Sequence, residues 1–455
     1  MKIEFSKHKK KLFILILILL IFVSYYKSLS NYFFSDDFEW ISRAIVSQAE
    51  PLRAFKVYGR DFNPVFIIIL SILIKIFGVS AFPIRLFFLS LFAITFAFLF
   101  HTLEKRLNFS QITAFSATFL VALNVYISEA ALNLAASVYF LAFFLFLISF
   151  NYLSEKKIYL FFILFTLAFL TKEMIILTLI PVFIFSEKKI KKQILIFGAS
   201  LLTLRFIIQF STTSQYTSFV SKKLFLAKLY FILLRSINLS PYKINPIYGL
   251  FLLTSIILLI LIYMVKFGGE KDKTVVCIFV FWILYTIFFA FLPKLSSRYI
   301  LYPSIGFILI YLKIFDAFSK YKIIRFALTL LLVLSFVYNY PKIGKEIEDY
   351  KILGDFSKNF LIKIKTEFVK NIDPKRKEQT IKIKKPEKTA LIFTYAMVKR
   401  RGNLPKLLPM RKNSLGGVIY LKDLIPITFY PERIAIFKPK KITQTHFIGQ
   451  ILFLK

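Results

Sequence analysis

A chain of 455 residues with 58% hydrophobic and only 19% charged side chains carries too little charge to dress a soluble protein of that size. Its net charge of +38 comes chiefly from lysine, and no nucleic-acid-reading motif accompanies it, so membrane lipids are the expected partner and nucleic acid is not. The single cysteine, Cys277, excludes an intrachain disulfide and a cysteine-built metal site.

In chain order, Lys7–Lys11 followed by the apolar run Leu12–Tyr26 has the layout of a signal peptide without a small-residue cleavage site. This predicts a signal anchor over residues 1–30, with Met1 inside and Asn31 outside. Residues 31–63 then form a first outside loop. In it Phe38, Trp40, Ile41, Ala44 and Ile45 recur at helical spacing, predicting a short helix along the membrane surface with Trp40 at headgroup level.

Residues 64–340 are read as a multi-span membrane domain. Its runs are Val65–Phe77, Phe82–Phe100, Ile112–Tyr126, Ala130–Phe150, Ile194–Phe210, Ile247–Val265, Val275–Leu292, Tyr299–Ile314 and Ile323–Tyr338. With the anchor and weaker stretches, this predicts roughly eleven to thirteen transmembrane helices, each needing about 20 apolar residues. Basic clusters at Ser186–Gln193, Lys266–Lys273 and Ser319–Lys322 belong on the cytoplasmic side. Three apolar runs separate Asp36 from Glu129, yet both fall outside; either one run is re-entrant or broken, or one assignment is wrong. The tail, residues 341–455, starts with an amphipathic helix over Gly344–Lys365. Strand-like stretches follow at Ala390–Val398, Gly417–Leu421, Ile425–Tyr430 and Arg433–Phe437, which predicts a small α+β or β-rich extracytoplasmic domain.

Few residues offer chemistry. Asp36-Asp37 opens the first loop, where one carboxylate can take a hydroxyl proton and the other orient it; capping the following helix is the structural alternative. Glu129 stands alone between two apolar runs, a functional position at membrane depth or a second helix cap. In Leu170-Thr171-Lys172-Glu173, Thr171 can cap the next helix with Glu173 in its first turn, while Lys172 suits an anionic phosphate. Arg60-Asp61, three residues ahead of Pro64, flank the second run. Arg298-Tyr299, with Tyr302 nearby, lead into another; the guanidinium either anchors the helix at the interface or forks onto a lipid phosphate.

Taken as an ordered set, these motifs resemble the GT-C superfamily of membrane glycosyltransferases, including protein O-mannosyltransferases and aminoarabinose transferases. The set comprises an acidic pair after the first span, Arg60-Asp61 before Pro64, Glu129, Leu-Thr-Lys-Glu at 170–173, and Arg-Tyr-x-x-Tyr-Pro-Ser-x-Gly-Phe at Arg298–Phe307. The resemblance extends over roughly residues 11–340. It implies an α-helical polytopic, GT-C-like fold in a bacterial cytoplasmic membrane, with an extracytoplasmic active site. It also implies a polyprenyl-phosphate sugar donor, a protein, lipid or glycan acceptor, and inverting displacement. Asp36, Asp37 and Glu129 are then the catalytic candidates, and Arg298, Lys172 and Arg60 the donor-phosphate ligands. Glu173, Asp61, Tyr299 and Tyr302 complete the pocket. The first pair is Asp-Asp where O-mannosyltransferases commonly have Asp-Glu, which leaves the base open between Asp36 and Asp37. No cofactor is assigned; a divalent cation, if used, would take Asp36, Asp37 or Glu129. A transporter or flippase of lipid-linked sugars, or a non-catalytic envelope assembly protein, are the alternatives.

Overall fold

The structure, a computed structural model, describes residues 2–34, 37–57, 62–210, 222–236, 273–292, 297–317 and 321–371, strand segments beyond these, and the isolated positions 254 and 258. Asp36, Arg60 and Asp61 lie outside the described residues. So do nearly all of Ile247–Val265 and the stretches Ala390–Val398 and Ile425–Tyr430.

The described chain is overwhelmingly helical. Its helices are α1 (Lys2–Tyr25), α2 (Asp37–Ala49), α3 (Pro64–Phe77), α4 (Ala81–Arg106), α5 (Gln111–Ala122), α6 (Ser128–Leu132), α7 (Ser137–Ser154), α8 (Ile158–Thr171), α9 (Leu179–Phe185), α10 (Lys188–Phe210), α11 (Lys222–Ser236), α12 (Lys273–Phe291), α13 (Leu301–Ala317) and α14 (Lys322–Asn371). Six helical stretches among the described residues are long and apolar enough to cross a membrane, or seven if the bent pair α5–α6 is one span. The other expected crossings correspond to shorter helices, to residues outside those described, and to α10, whose 23 residues begin with a run of lysines.

Two of the three apolar runs between Asp36 and Glu129 form a short or a bent helix. α3 has 14 residues, a rise of about 21 Å against a hydrocarbon core of about 30 Å. α5 and the turn into α6 are bent by 56°. An even count requires α4 and the bent pair to cross once each and α3 not to cross.

A second break lies at Lys172, where α8 ends and a 3-10 turn (Glu173–Thr178) runs into α9. The two arms are too short to span separately, so they form a hairpin with Lys172-Glu173 at its apex. Thr171 does not cap the next turn as its position suggested. Its hydroxyl donates back to the Leu167 carbonyl at 2.8 Å, a bond within the helix it ends.

The bundle has two chemically different ends. At one, Lys10 pairs with Glu104, Arg106 with Glu155 at 2.6 Å and Lys156 with Glu187 at 3.9 Å. This gathers the start of α1, the end of α4 and the α7–α8 and α9–α10 turns. The Glu155 carboxyl is held below the usual carboxylate range, chiefly by its hydrogen bond from Lys157. The opposite end brings together the starts of α2, α4 and α13, the α6 region and the middle of α14.

α2 forms where the spacing predicts it but does not lie exposed on a surface. Phe38, Ile41 and Ala44 are fully buried and Trp40 nearly so. Trp40 packs edge-on against Phe66 at 5.2 Å, with the Arg43 guanidinium 5.0 Å from its ring centre. A protein groove, rather than headgroups, receives the indole. The amphipathic stretch Gly344–Lys365 is likewise helical, as part of α14, which runs through Pro341 and residues 340–341 without interruption.

Beyond α14, strands β1 (Glu378–Lys384), β4 (Ile434–Ile442) and β5 (His446–Leu454) form an antiparallel sheet in the order β1-β5-β4. The register shifts between Pro439 and Lys441, at the residue that cannot donate to the ladder. Two-residue strands β2 (Ser414–Leu415) and β3 (Ile419–Tyr420) pair separately.

Candidate active site

The end opposite the paired basic turns holds a buried ion pair that the apolar pattern around it makes costly. Asp37 is fully buried and Arg85, in α4, is 6% exposed; their closest charged atoms are 3.6 Å apart. Arg85 also donates to the carbonyls of Asn31 at 2.7 Å, Leu132 at 2.6 Å and Tyr32 at 2.8 Å. The Asp37 carboxylate accepts the Ala135 N–H at 3.1 Å and the Phe34 N–H at 3.3 Å. Such a pair is tolerable in an apolar setting only because its remaining donors and acceptors are satisfied. It ties the first loop to the segment between α6 and α7. Arg85 was legible in the sequence, as a cation inside the run Phe82–Phe100, but it does not figure among the residues singled out there.

Glu129 sits in the first turn of α6 and reaches across the fold. Its Oε2 accepts the Arg298 backbone N–H at 3.1 Å. Arg298 lies in the 3-10 turn Ser297–Ile300 before α13, with its guanidinium 5.8 Å from the Tyr299 ring centre. Tyr299 stacks on Phe289 at 5.1 Å and meets the Tyr139 ring at 5.9 Å. The Lys172 ammonium lies 5.5 Å from that same Tyr139 ring. Tyr302 donates to the Tyr139 carbonyl at 2.8 Å and stacks on Tyr285 at 4.5 Å. Tyr285 in turn donates to the Met174 carbonyl at 3.0 Å. Glu129, Arg298, Tyr299, Tyr302, Lys172 and Glu173 therefore form one continuous region.

At the hairpin apex, Glu173 lies between two cations, Lys172 at 3.7 Å and Arg205 of α10 at 3.6 Å. Further cations come from α11. The Arg235 guanidinium stands 5.1 Å over the Tyr126 ring, and Lys228 donates to the Leu292 carbonyl, with burial drawing its pKa below the ordinary lysine value. Asn124 docks this helix by donating to the Arg235 carbonyl at 3.1 Å and to the Ser304 hydroxyl at 3.2 Å. Arg205 was findable as another charge in an apolar run. Tyr139 and Asn124 carry no signal that sets them apart from core residues.

The region is thus rich in cations and aromatic rings, with carboxylates at two sides, an arrangement suited to an anionic headgroup and a sugar. Asp37 and Glu129 each accept a backbone N–H, and no group of three His, Cys, Asp or Glu side chains that could hold a metal ion exists among the described residues.

Compared with known proteins, residues 61–212 match the sequence model of the dolichyl-phosphate-mannose-protein mannosyltransferase family. None of the curated proteins or solved structures compared with the chain matches it. The matched stretch carries Arg85, Glu129, Tyr139, Lys172, Glu173 and Arg205; the acidic pair and Arg298 lie outside it. Residues 61–212 are a match to a GT-C-type glycosyltransferase domain, set in an integral membrane protein of several apolar helices.

Proposed function

We propose that this chain transfers a sugar from a polyprenyl-phosphate donor to an extracytoplasmic hydroxyl acceptor, with inversion at the anomeric carbon. The observation that carries the reading is the chain from Glu129 through Arg298, Tyr299 and Tyr139 to Lys172. It assembles two phosphate-seeking cations beside a carboxylate from three separate parts of the fold. The paired basic turns at the other end support a cytoplasmic assignment for that end, and so an extracytoplasmic one for the site.

Asp36 accepts the acceptor's hydroxyl proton as the oxygen bonds to the anomeric carbon. The bond from that carbon to the phosphate oxygen breaks, and its electron pair leaves with the lipid phosphate. Arg298 and Lys172 stabilise the charge gathering there, in an apolar surrounding where fixed cations act strongly. Asp37, held by Arg85 and two backbone N–H groups, orients the loop, and Glu129 positions the turn that carries Arg298. Protein, lipid and glycan all fit the acceptor class.

The test is mass spectrometry of envelope glycans, glycolipids and glycoproteins from a deletion strain complemented with wild type, Asp36→Asn or Asp37→Asn. Wild type should restore a sugar that the deletion lacks. Asp36→Asn should lose on the order of a hundredfold to ten-thousandfold in transfer rate. A normal Asp36→Asn with an inactive Asp37→Asn exchanges the two roles. An unchanged envelope in the deletion strain overturns the function.

A further inference from the structure

The backbone leading into the acidic pair is gripped from two sides. On one side stands Arg85, donating to the carbonyls of Asn31 and Tyr32. On the other is α14, through three independent contacts. Asn31 donates its side-chain amide to the Ile347 carbonyl at 3.2 Å. The Phe34 ring meets the Tyr350 ring edge-on at 4.8 Å. At Gly354 the helix comes so near that a β-carbon would lie 2.7 Å from the Tyr32 carbonyl oxygen and 2.8 Å from its nitrogen. These are backbone atoms, so no change of rotamer could make room. By contrast, a β-carbon on Gly344 of the same helix would meet nothing within 4 Å. The grip passes on to Asp37, whose carboxylate accepts the Phe34 N–H at 3.3 Å.

We propose that Gly354 and Tyr350 of α14 are positioning residues for the candidate active site, fixing residues 31–34 and through them Asp37. This rests on the function proposed above. Neither residue touches substrate; each acts by setting where the first loop lies. The helix that carries the last apolar run thereby becomes part of the catalytic geometry. Displacements of about 1 Å at a reacting group cost on the order of a hundredfold in rate, which makes this close approach consequential.

The experiment uses the full chain in lipid nanodiscs and compares Gly354→Ala with Gly344→Ala. Gly354→Ala should lower kcat for sugar transfer by about tenfold to a hundredfold, leave the donor KM unchanged, and speed amide hydrogen exchange at residues 31–34. Gly344→Ala should alter none of these. Should Gly354→Ala fail to fold, Tyr350→Leu removes the Phe34 ring contact and should give a smaller kcat loss with the same local rise in exchange. Wild-type exchange at 31–34, a donor KM that rises in step with the fall in kcat, or an equal loss in Gly344→Ala would each overturn the positioning role. The exchange readout is independent of turnover, so a wild-type protein that transfers no sugar counts against the proposed function and is told apart from failure of the grip.

Discussion

The Glu129 carboxylate accepts the backbone N–H of Arg298 across 169 residues of sequence. The bond fixes the turn before α13 from the far side of the site, so the carboxylate's effect on the donor is exerted through the guanidinium's placement. Glu129→Ala should raise the donor KM about tenfold or more, the scale of a lost hydrogen bond to a charged group. Glu129→Gln keeps an oxygen acceptor and should lose less. Steady-state kinetics over donor concentration measure both; a kcat collapse at constant KM would point to proton transfer instead.

Arg298→Lys retains the charge and loses the planar fork. Donor affinity should fall clearly while the Tyr299–Phe289 stack and the fold persist. Equal donor affinity in the variant would reduce Arg298 to an interfacial anchor.

Arg85→Met should be among the most destabilising single changes in the bundle. It strands the fully buried Asp37 and frees the carbonyls of Asn31, Tyr32 and Leu132. Breaking one half of a buried pair costs about 3–5 kcal/mol. Thermal unfolding of the solubilised protein should show a large drop, and the double variant Arg85→Met/Asp37→Asn should recover part of it. A single variant as stable as wild type would remove the pair from its anchoring role.

Gly306 lets α12 and α13 touch. A β-carbon there would lie 2.7 Å from Trp282 Cβ and 2.8 Å from its Cα, the close backbone approach that small residues permit between membrane helices. Gly306→Ala should destabilise by about 1–3 kcal/mol, read as a lower melting temperature. An unchanged melting temperature would mean the two helices separate at no cost.

Much of the architecture was legible because the signals were local. Run length found helices long enough to span, and the three apolar runs between Asp36 and Glu129 include one short helix, α3, and one bent pair, α5–α6. The apex at Lys172 was visible as a charged pair before Pro181. What spacing could not reveal was which helices are neighbours. Asp37 in isolation reads as a helix cap, yet its partner Ala135 lies 98 residues away, and Trp40 reads as an interfacial anchor, although Phe66 and Arg43 enclose it. Arg85 and Arg205 were legible as charges in apolar runs; assigning them a partner needed the fold.

α14 has 50 residues, a rise of about 75 Å, far more than a bilayer's hydrocarbon core demands. Measured along its axis, the 17 positions from Gly354 to Asn371 add about 25 Å beyond the level of residues 31–34. That length equals about seven residues of extended polypeptide, and the chain that comes after runs back along it, bringing β3 and β4 against α2 beside the first loop.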